Sequence, residues 1–314
     1  MKRLFYYFAA AAALLLGAAC QQEVMPEGVG SGDTVVSFNV EVPGGDATKA
    51  IGDGTNVDIL YYEVYDADMT KRLASGSKMK TSEKVFDLQL TLVRGQVYNF
   101  LFWAQVNGNS YYTVSDLRNV TVSYDNAVGN DEDRAAFFAA EKNFTVEKDA
   151  PAKNIYLKRP FAQLNFGTVT FESDLDEDVV VNGSVIKVTN ASTKFNVETG
   201  VGSKEVADLA QVVFTATGCP TDPAKLTVVN PDTADEAEYE YLSMNYFFVG
   251  GEKATVAVDA LFQTTGGNVS HVIRSVPVAE NFRTNIVGDL LFNTADFNIY
   301  VDEKFTNDEI VTIP

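Results

Sequence analysis

The feature that most constrains this chain is a two-residue hydrophobic rhythm. In Thr34-Val35-Val36-Ser37-Phe38-Asn39-Val40-Glu41-Val42, the residues Val36, Phe38, Val40 and Val42 fall on one face, and Ser37, Asn39 and Glu41 on the other. Side chains alternate sides along an extended backbone, so this pattern specifies a half-buried β-strand. Lys84-Val85-Phe86-Asp87-Leu88-Gln89-Leu90-Thr91-Leu92 repeats it, with Phe86, Leu88, Leu90 and Leu92 inward. Ile59-Leu60-Tyr61-Tyr62-Glu63-Val64-Tyr65 is rich in aromatic and branched residues that favour strands. Residues 97–106 are apolar on nearly both faces, which predicts a central strand with Trp103 in the core.

The same rhythm continues through the second half. Strands are expected at 194–197, 211–216, 239–249, 254–262, 269–275, 281–288 and 297–301, with a last short one at 310–313. Asn182-Gly183 lies between Val179-Val180-Val181 and Val185-Ile186-Lys187-Val188, a pattern that predicts a hairpin turn. Thr264-Thr265-Gly266-Gly267-Asn268 predicts another. One short helix is expected, because Asn130-Asp131-Glu132-Asp133 places acids where they oppose a helix dipole and an Ala/Phe-rich run follows to Lys142. Short strands separated by polar turns in both halves predict an all-β chain of two tandem antiparallel β-sandwich domains with that one helix. The boundary falls near Lys158, in Leu157-Lys158-Arg159-Pro160-Phe161, giving domains at 34–158 and 159–314.

Composition narrows the chemistry. Lys and Arg number 24 against 43 Asp and Glu, a formal net charge of −19. Such a surface repels phosphate backbones, and no basic cluster offsets it, so nucleic acid is not an expected partner. The single histidine, His271, leaves no imidazole to spare for a hydrolase triad or a histidine-rich metal site. It sits in Val269-Ser270-His271-Val272-Ile273 and is expected to be structural. The acidic stretch Glu172-Ser173-Asp174-Leu175-Asp176-Glu177-Asp178 lacks the spacing of a calcium loop and reads as a solvated loop. Acids are abundant, but nothing singles out a catalytic pair. The chain is therefore expected to be no enzyme and to carry no cofactor or metal ion.

The N-terminus sets the compartment. Lys2 and Arg3 precede an apolar run over 4–19, and small residues lead into Cys20. The run is shorter than the roughly 20 residues a spanning helix needs, and suits a cleaved signal. Residues 1–19 read as a lipoprotein signal peptide, with Cys20 as the thiol that accepts a diacylglycerol. An ordinary secretory signal with an incidental cysteine is the plainer alternative. The only other cysteine, Cys219, is then left without an intramolecular partner, so no disulfide framework is expected. Residues 20–33, with Pro26, Gly28, Gly30 and Gly32, read as a flexible tether. After the first strand, Pro43-Gly44-Gly45 leads into a small, polar stretch in which Lys49-Ala50 is an accessible protease site.

Together these features resemble the fimbrillin-like lipoproteins, the type V pilin superfamily. The resemblance rests on Cys20, the first strand ending before Lys49-Ala50, and the joining segment Leu157-Lys158-Arg159-Pro160-Phe161-Ala162-Gln163-Leu164-Asn165-Phe166. Tyr241-Leu242-Ser243-Met244-Asn245-Tyr246 and Asn281-Phe282-Arg283-Thr284-Asn285-Ile286-Val287-Gly288 complete it. It implies two transthyretin-like, Greek-key sandwich domains, display at the outer membrane through lipid on Cys20, and a pilus role in adhesion. It also implies cleavage after a basic residue behind the first strand, usually arginine and here Lys49. A C-terminal strand of the next subunit then fills the groove. The donor candidate here is 297–314, with Ile310, Val311 and Ile313 as anchors. The rival for Val36 to Val42 is a permanent edge strand. Rival roles are a pilus anchor, or a non-polymerising lipoprotein that binds a host glycan or protein.

Overall fold

The computed structural model describes residues 32–43, 54–82, 84–149, 151–169, 179–204, 211–230, 233–251, 253–291 and 296–302. Strands dominate them. The first half supplies β1 (Asp33–Glu41), β2 (Ile59–Tyr65), β3 (Arg72–Met79), β4 (Val85–Val93), β5 (Val97–Gln105), β6 (Tyr112–Thr113), β7 (Val120–Val122), β8 (Ala136–Thr145) and β9 (Lys153–Tyr156). The second half supplies β10 (Phe161–Thr168), β11 (Val181–Thr189), β12 (Lys194–Asn196), β13 (Val201–Ser203), β14 (Gln211–Thr217) and β15 (Lys225–Val229). It continues with β16 (Glu236–Phe248), β17 (Ala254–Thr264), β18 (Gly267–Val278), β19 (Arg283–Gly288) and β20 (Phe297–Asp302).

Five sheets result. The first sandwich has an outer sheet, β4-β1-β9, and an inner sheet, β3-β2-β5-β8. The second has an inner sheet, β15-β16-β10-β19-β20, and an outer sheet, β14-β11-β17-β18. The fifth, β13-β12-β7-β6, takes two strands from each half. Three apolar clusters order these layers. One lies inside the first sandwich around Phe38, Phe86, Phe100 and Phe102. Another lies inside the second around Phe166, Ile186, Phe214 and Phe262. The third joins the two inner sheets through Trp103, Phe138, Phe195, Tyr246 and Phe248, with the composite sheet sealing it.

β5 explains why both its faces are apolar. It lies between β2 and β8 and shows Phe100 and Phe102 to one cluster, Leu101 and Trp103 to the other. Trp103 is fully buried, and its Nε1 donates to Gln105 Oε1 at 2.9 Å. This is the core position that its strand predicts, and no side of the ring is open for a ligand.

Two local expectations are overturned. The short helix expected after Asn130 is a single 3-10 turn, Glu132–Arg134, capped by the Asp131 carboxylate on the Asp133 amide. The Ala/Phe run that follows is strand β8, paired with β5. Phe137 and Phe138 serve different clusters on opposite faces, which a helix placing them about 100° apart could not achieve. Burial of both rings outweighs the helix propensity of the alanines. The hairpin expected at Asn182-Gly183 is a bulge, because β11 runs straight through and its register to β17 shifts between Val181 and Gly183. The other hairpin forms as expected, with Thr264 facing Gly267 across the β17–β18 turn.

Candidate assembly site around the first strand

β1 owes its position to its alternating face. Val36, Phe38, Val40 and Val42 are at most 4 % exposed, whereas Val35 is 58 % exposed. Phe38 is the hub, with its ring centroid 4.8 Å from Phe100, 6.0 Å from Phe102 and 5.5 Å from Phe144. On one side β1 pairs antiparallel with β4 from Asp33↔Val93 to Glu41↔Val85. On the other it pairs parallel with β9 from Phe38↔Lys153 to Glu41↔Tyr156. On the outer face Asn39 Nδ2 donates to Asn154 Oδ1 at 3.0 Å. β1 is thus the centre of its sheet, not the edge strand that was its alternative reading. Nothing local in Lys153-Asn154-Ile155-Tyr156 signals a parallel partner more than a hundred residues away.

Burying the four inward side chains stabilises β1 by about 6–12 kcal/mol as an upper bound. Taking β1 away would expose that apolar floor between two strands, β4 and β9, each with a newly unpaired edge.

The chain leaves this sheet at Val42-Pro43 and re-enters the described structure at Gly54. Gly54 has φ +78°, and a Cβ there would stand 2.7 Å from both Val42 Cγ1 and Phe137 Cζ. Only glycine fits that approach. Both ends of the segment carrying Lys49 are therefore held side by side. Lys49 and Ala50 themselves lie outside the described residues, as do Cys20, the acidic stretch 172–178 and the tail from 303 onward, with Ile310, Val311 and Ile313. The part of the donor candidate that is described, β20, pairs antiparallel with β19 at the edge of the second inner sheet.

The remaining candidate groups are structural in their surroundings. His271 on β18 is 9 % exposed, and its Nε2 lies 2.8 Å from the Leu290 carbonyl oxygen. The Cys219 thiol is pushed up by burial and by the nearby Glu240 carboxylate, so it stays protonated and a poor nucleophile. Among the described residues no three His, Cys, Asp or Glu side chains group as metal ligands, and no helix is long and apolar enough to cross a membrane.

Comparisons place this architecture among known folds. The tip fimbrial protein Mfa3 of Porphyromonas gingivalis aligns with a TM-score of 0.50 at 12 % identity, over 86 % of this chain and 99 % of its own. A candidate adhesin of Bacteroides thetaiotaomicron aligns with a TM-score of 0.51 at 11 % identity, over 87 % and 97 %. At these identities the likeness speaks for the fold, which is fimbrillin-like as the sequence resemblance implies. No curated protein matches the chain by sequence. The family of unknown function DUF6562 matches residues 28–314, nearly the whole chain, and the protein belongs to that family.

Proposed function

We propose that the protein is a cell-surface structural subunit of a pilus, displayed as an outer-membrane lipoprotein and serving adhesion without catalysis. In this reading residues 1–19 are removed and Cys20 carries the lipid. Residues 20–33 act as the tether, and 34–158 and 159–314 form the two sandwich units. Cutting after Lys49 severs the covalent link of β1 to the rest. β1 is then held only by its pairing and one apolar face, and a strand from another subunit replaces it between β4 and β9.

The observation that carries this reading is the placement of β1. It is the first strand, central in its sheet, buried on one face, and followed by a segment whose ends touch at Val42 and Gly54. A strand so placed leaves a groove with two open edges rather than a flat face.

The test is treatment of the surface-displayed protein with a Lys-specific protease. Polymerisation predicts a mature N-terminus at Ala50 and a ladder on unboiled gels. Clean cutting at Lys49 with persistent monomer argues against assembly. A second reading, a pilus anchor or non-polymerising binder that keeps β1, is favoured by the two-sided pairing that already seats this strand. It predicts an acylated N-terminus at Cys20.

A further inference from the structure

An open cleft of about 1100 Å³, sharing no residue with β1, is lined by residues of both halves. One wall is the edge strand β14, whose outward face shows Gln211, Val213, Thr215 and Thr217. The other is the segment 124–130, with Tyr124 and Asn126, and Asp222 also lines the cleft.

The two sides join at Thr215, and β16 holds the segment 124–130 further. The Gly129 amide donates to Thr215 O at 3.1 Å, and the Thr215 amide donates to Ala127 O at 3.0 Å. The Asn130 amide donates to Met244 O, and the Met244 amide returns a bond to Asn130 Oδ1, both at 2.8 Å. Gly129 lies so close to β16 that a Cβ would come within 3.0 Å of Asn245 Oδ1, a buried oxygen without a hydrogen-bond partner among the described residues. The Tyr124 ring is fixed by its hydroxyl, which donates to Ser192 O at 3.0 Å and accepts from the Phe248 amide at 2.9 Å.

What the cleft can recognise follows from what lines it. The lining has no lysine, arginine or histidine, while Asp125, Glu132 and Asp222 contribute carboxylates. Phosphate, sulfate and sialate ligands are repelled. Strand addition by a peptide is hindered, because the backbone of Thr215 is already bonded to Ala127 and Gly129 in the middle of β14. Recognition therefore falls to side chains. Amide, carboxylate and hydroxyl groups pair with vicinal hydroxyls, and alternate residues of β14 present them about 7 Å apart. The half-buried Tyr124 ring, packed against Phe214, lines the cleft and adds an aromatic contact for apolar C–H groups. Because these elements are already locked, little ordering entropy opposes binding.

We propose that this cleft binds a neutral oligosaccharide, with Asn126, Gln211, Thr215 and Thr217 bonding its hydroxyls beside the ring of Tyr124. The cleft shares no residue with β1, so this site is independent of strand exchange.

The test titrates the purified full chain with neutral hexasaccharides of β-linked glucose, xylose and mannose and with poly-N-acetyllactosamine. Parallel arms use a heparin-derived hexasaccharide and an extended Val/Thr peptide. At least one neutral glycan is expected to bind at about 1 mM or tighter. The double variant Q211A/T217A, both positions exposed, is expected to weaken it tenfold or more with an unchanged melting temperature. T217W is expected to block the cleft, and both variants still form whatever assembly the parent forms. Failure of every neutral glycan to bind, preference for heparin or the peptide, or unaltered binding by both variants would each overturn the proposal.

Discussion

β1 and β10 open the two sandwiches in the same way and differ in one respect that matters. Each is central in its sheet, with an antiparallel neighbour on one side and a parallel neighbour on the other: β4 and β9 for β1, β16 and β19 for β10. β1 is buried on one face only, whereas every residue of β10 is buried. The outward side of β10 meets the layer that joins the sandwiches, where the sequence places Gln163 and Asn165. Asn165 Oδ1 accepts from Gln163 Nε2 at 2.9 Å and from the Tyr241 hydroxyl at 2.7 Å, and its Nδ2 donates to Asn285 Oδ1 at 2.7 Å. Identical pairing thus serves two ends. A strand with one wet face can depart at the cost of one apolar stripe, and a strand locked on both faces cannot.

The comparison can be broken first at Asn165. N165A leaves the Tyr241 hydroxyl proton and the Asn285 Oδ1 without their partner in a dry interior, at about 1–3 kcal/mol each, and leaves Gln163 Nε2 with only its 3.3 Å bond to the Tyr241 hydroxyl. A loss of roughly 5 kcal/mol is expected, with both sandwiches unfolding in one denaturant transition. F38A removes the hub of the first cluster and is expected to cost about 3–5 kcal/mol. Its effect should be local, so amide exchange should quicken in β1 and β4 while β10 stays protected. Equal loss of protection in β10 would show that the two strands are not energetically distinct.

Tyrosines sharpen the contrast at high pH. Burial raises Tyr246 and Tyr241 well above the usual range, with Arg159 and Arg283 only partly opposing it. Tyr98, in the first cluster, is raised by burial against the lowering effect of the Val93 amide. A raised group keeps its proton in the folded chain after the unfolded chain has lost it. Its contribution is therefore full below about pH 10 and is lost as pH climbs through the folded value. Near the junction, Tyr111 is pushed up to about 12 by burial and its bond to Asp131. Alkaline unfolding should thus begin above pH 10 and strike the junction before β1. The Tyr246 hydroxyl has no partner among the described residues. Y246F should then gain about 1 kcal/mol and move the alkaline midpoint upward, read by melting at stepped pH.

The smallest effect is expected on the outer face. N39A removes an exposed amide pair with Asn154 and should cost about 0.5 kcal/mol. A larger cost in chemical denaturation would mean that the outer face also holds β1.

Period-two patterning made β1, β4 and the hairpin of β17 and β18 legible, because each has one buried and one wet face. The two-sided apolar run of β5 was legible for the complementary reason. β8 was not, since Ala135 to Ala140 contains no polar residue to mark the alternation and the acids before it suit a helix start equally well. β3, with the sequence Arg-Leu-Ala-Ser-Gly-Ser-Lys-Met, carries too few apolar residues for its edge role to register. Of the composite sheet, β12 was legible at 194–197, but its pairing with β7 from the other half, and the two- and three-residue strands beside them, arise only through folding. At the candidate site, the floor of the groove could be read from Val36 to Val42. Its β9 wall and the contact between Val42 and Gly54 depend on residues distant in sequence.

The most direct test is native-state hydrogen exchange on the chain nicked at Lys49. If β1 is a detachable strand, its amides should exchange at least a hundredfold faster in the nicked chain than in the intact one, while those of β10 keep their rates. Unchanged protection of β1 after the cut, or equal acceleration of β1 and β10, would contradict the account.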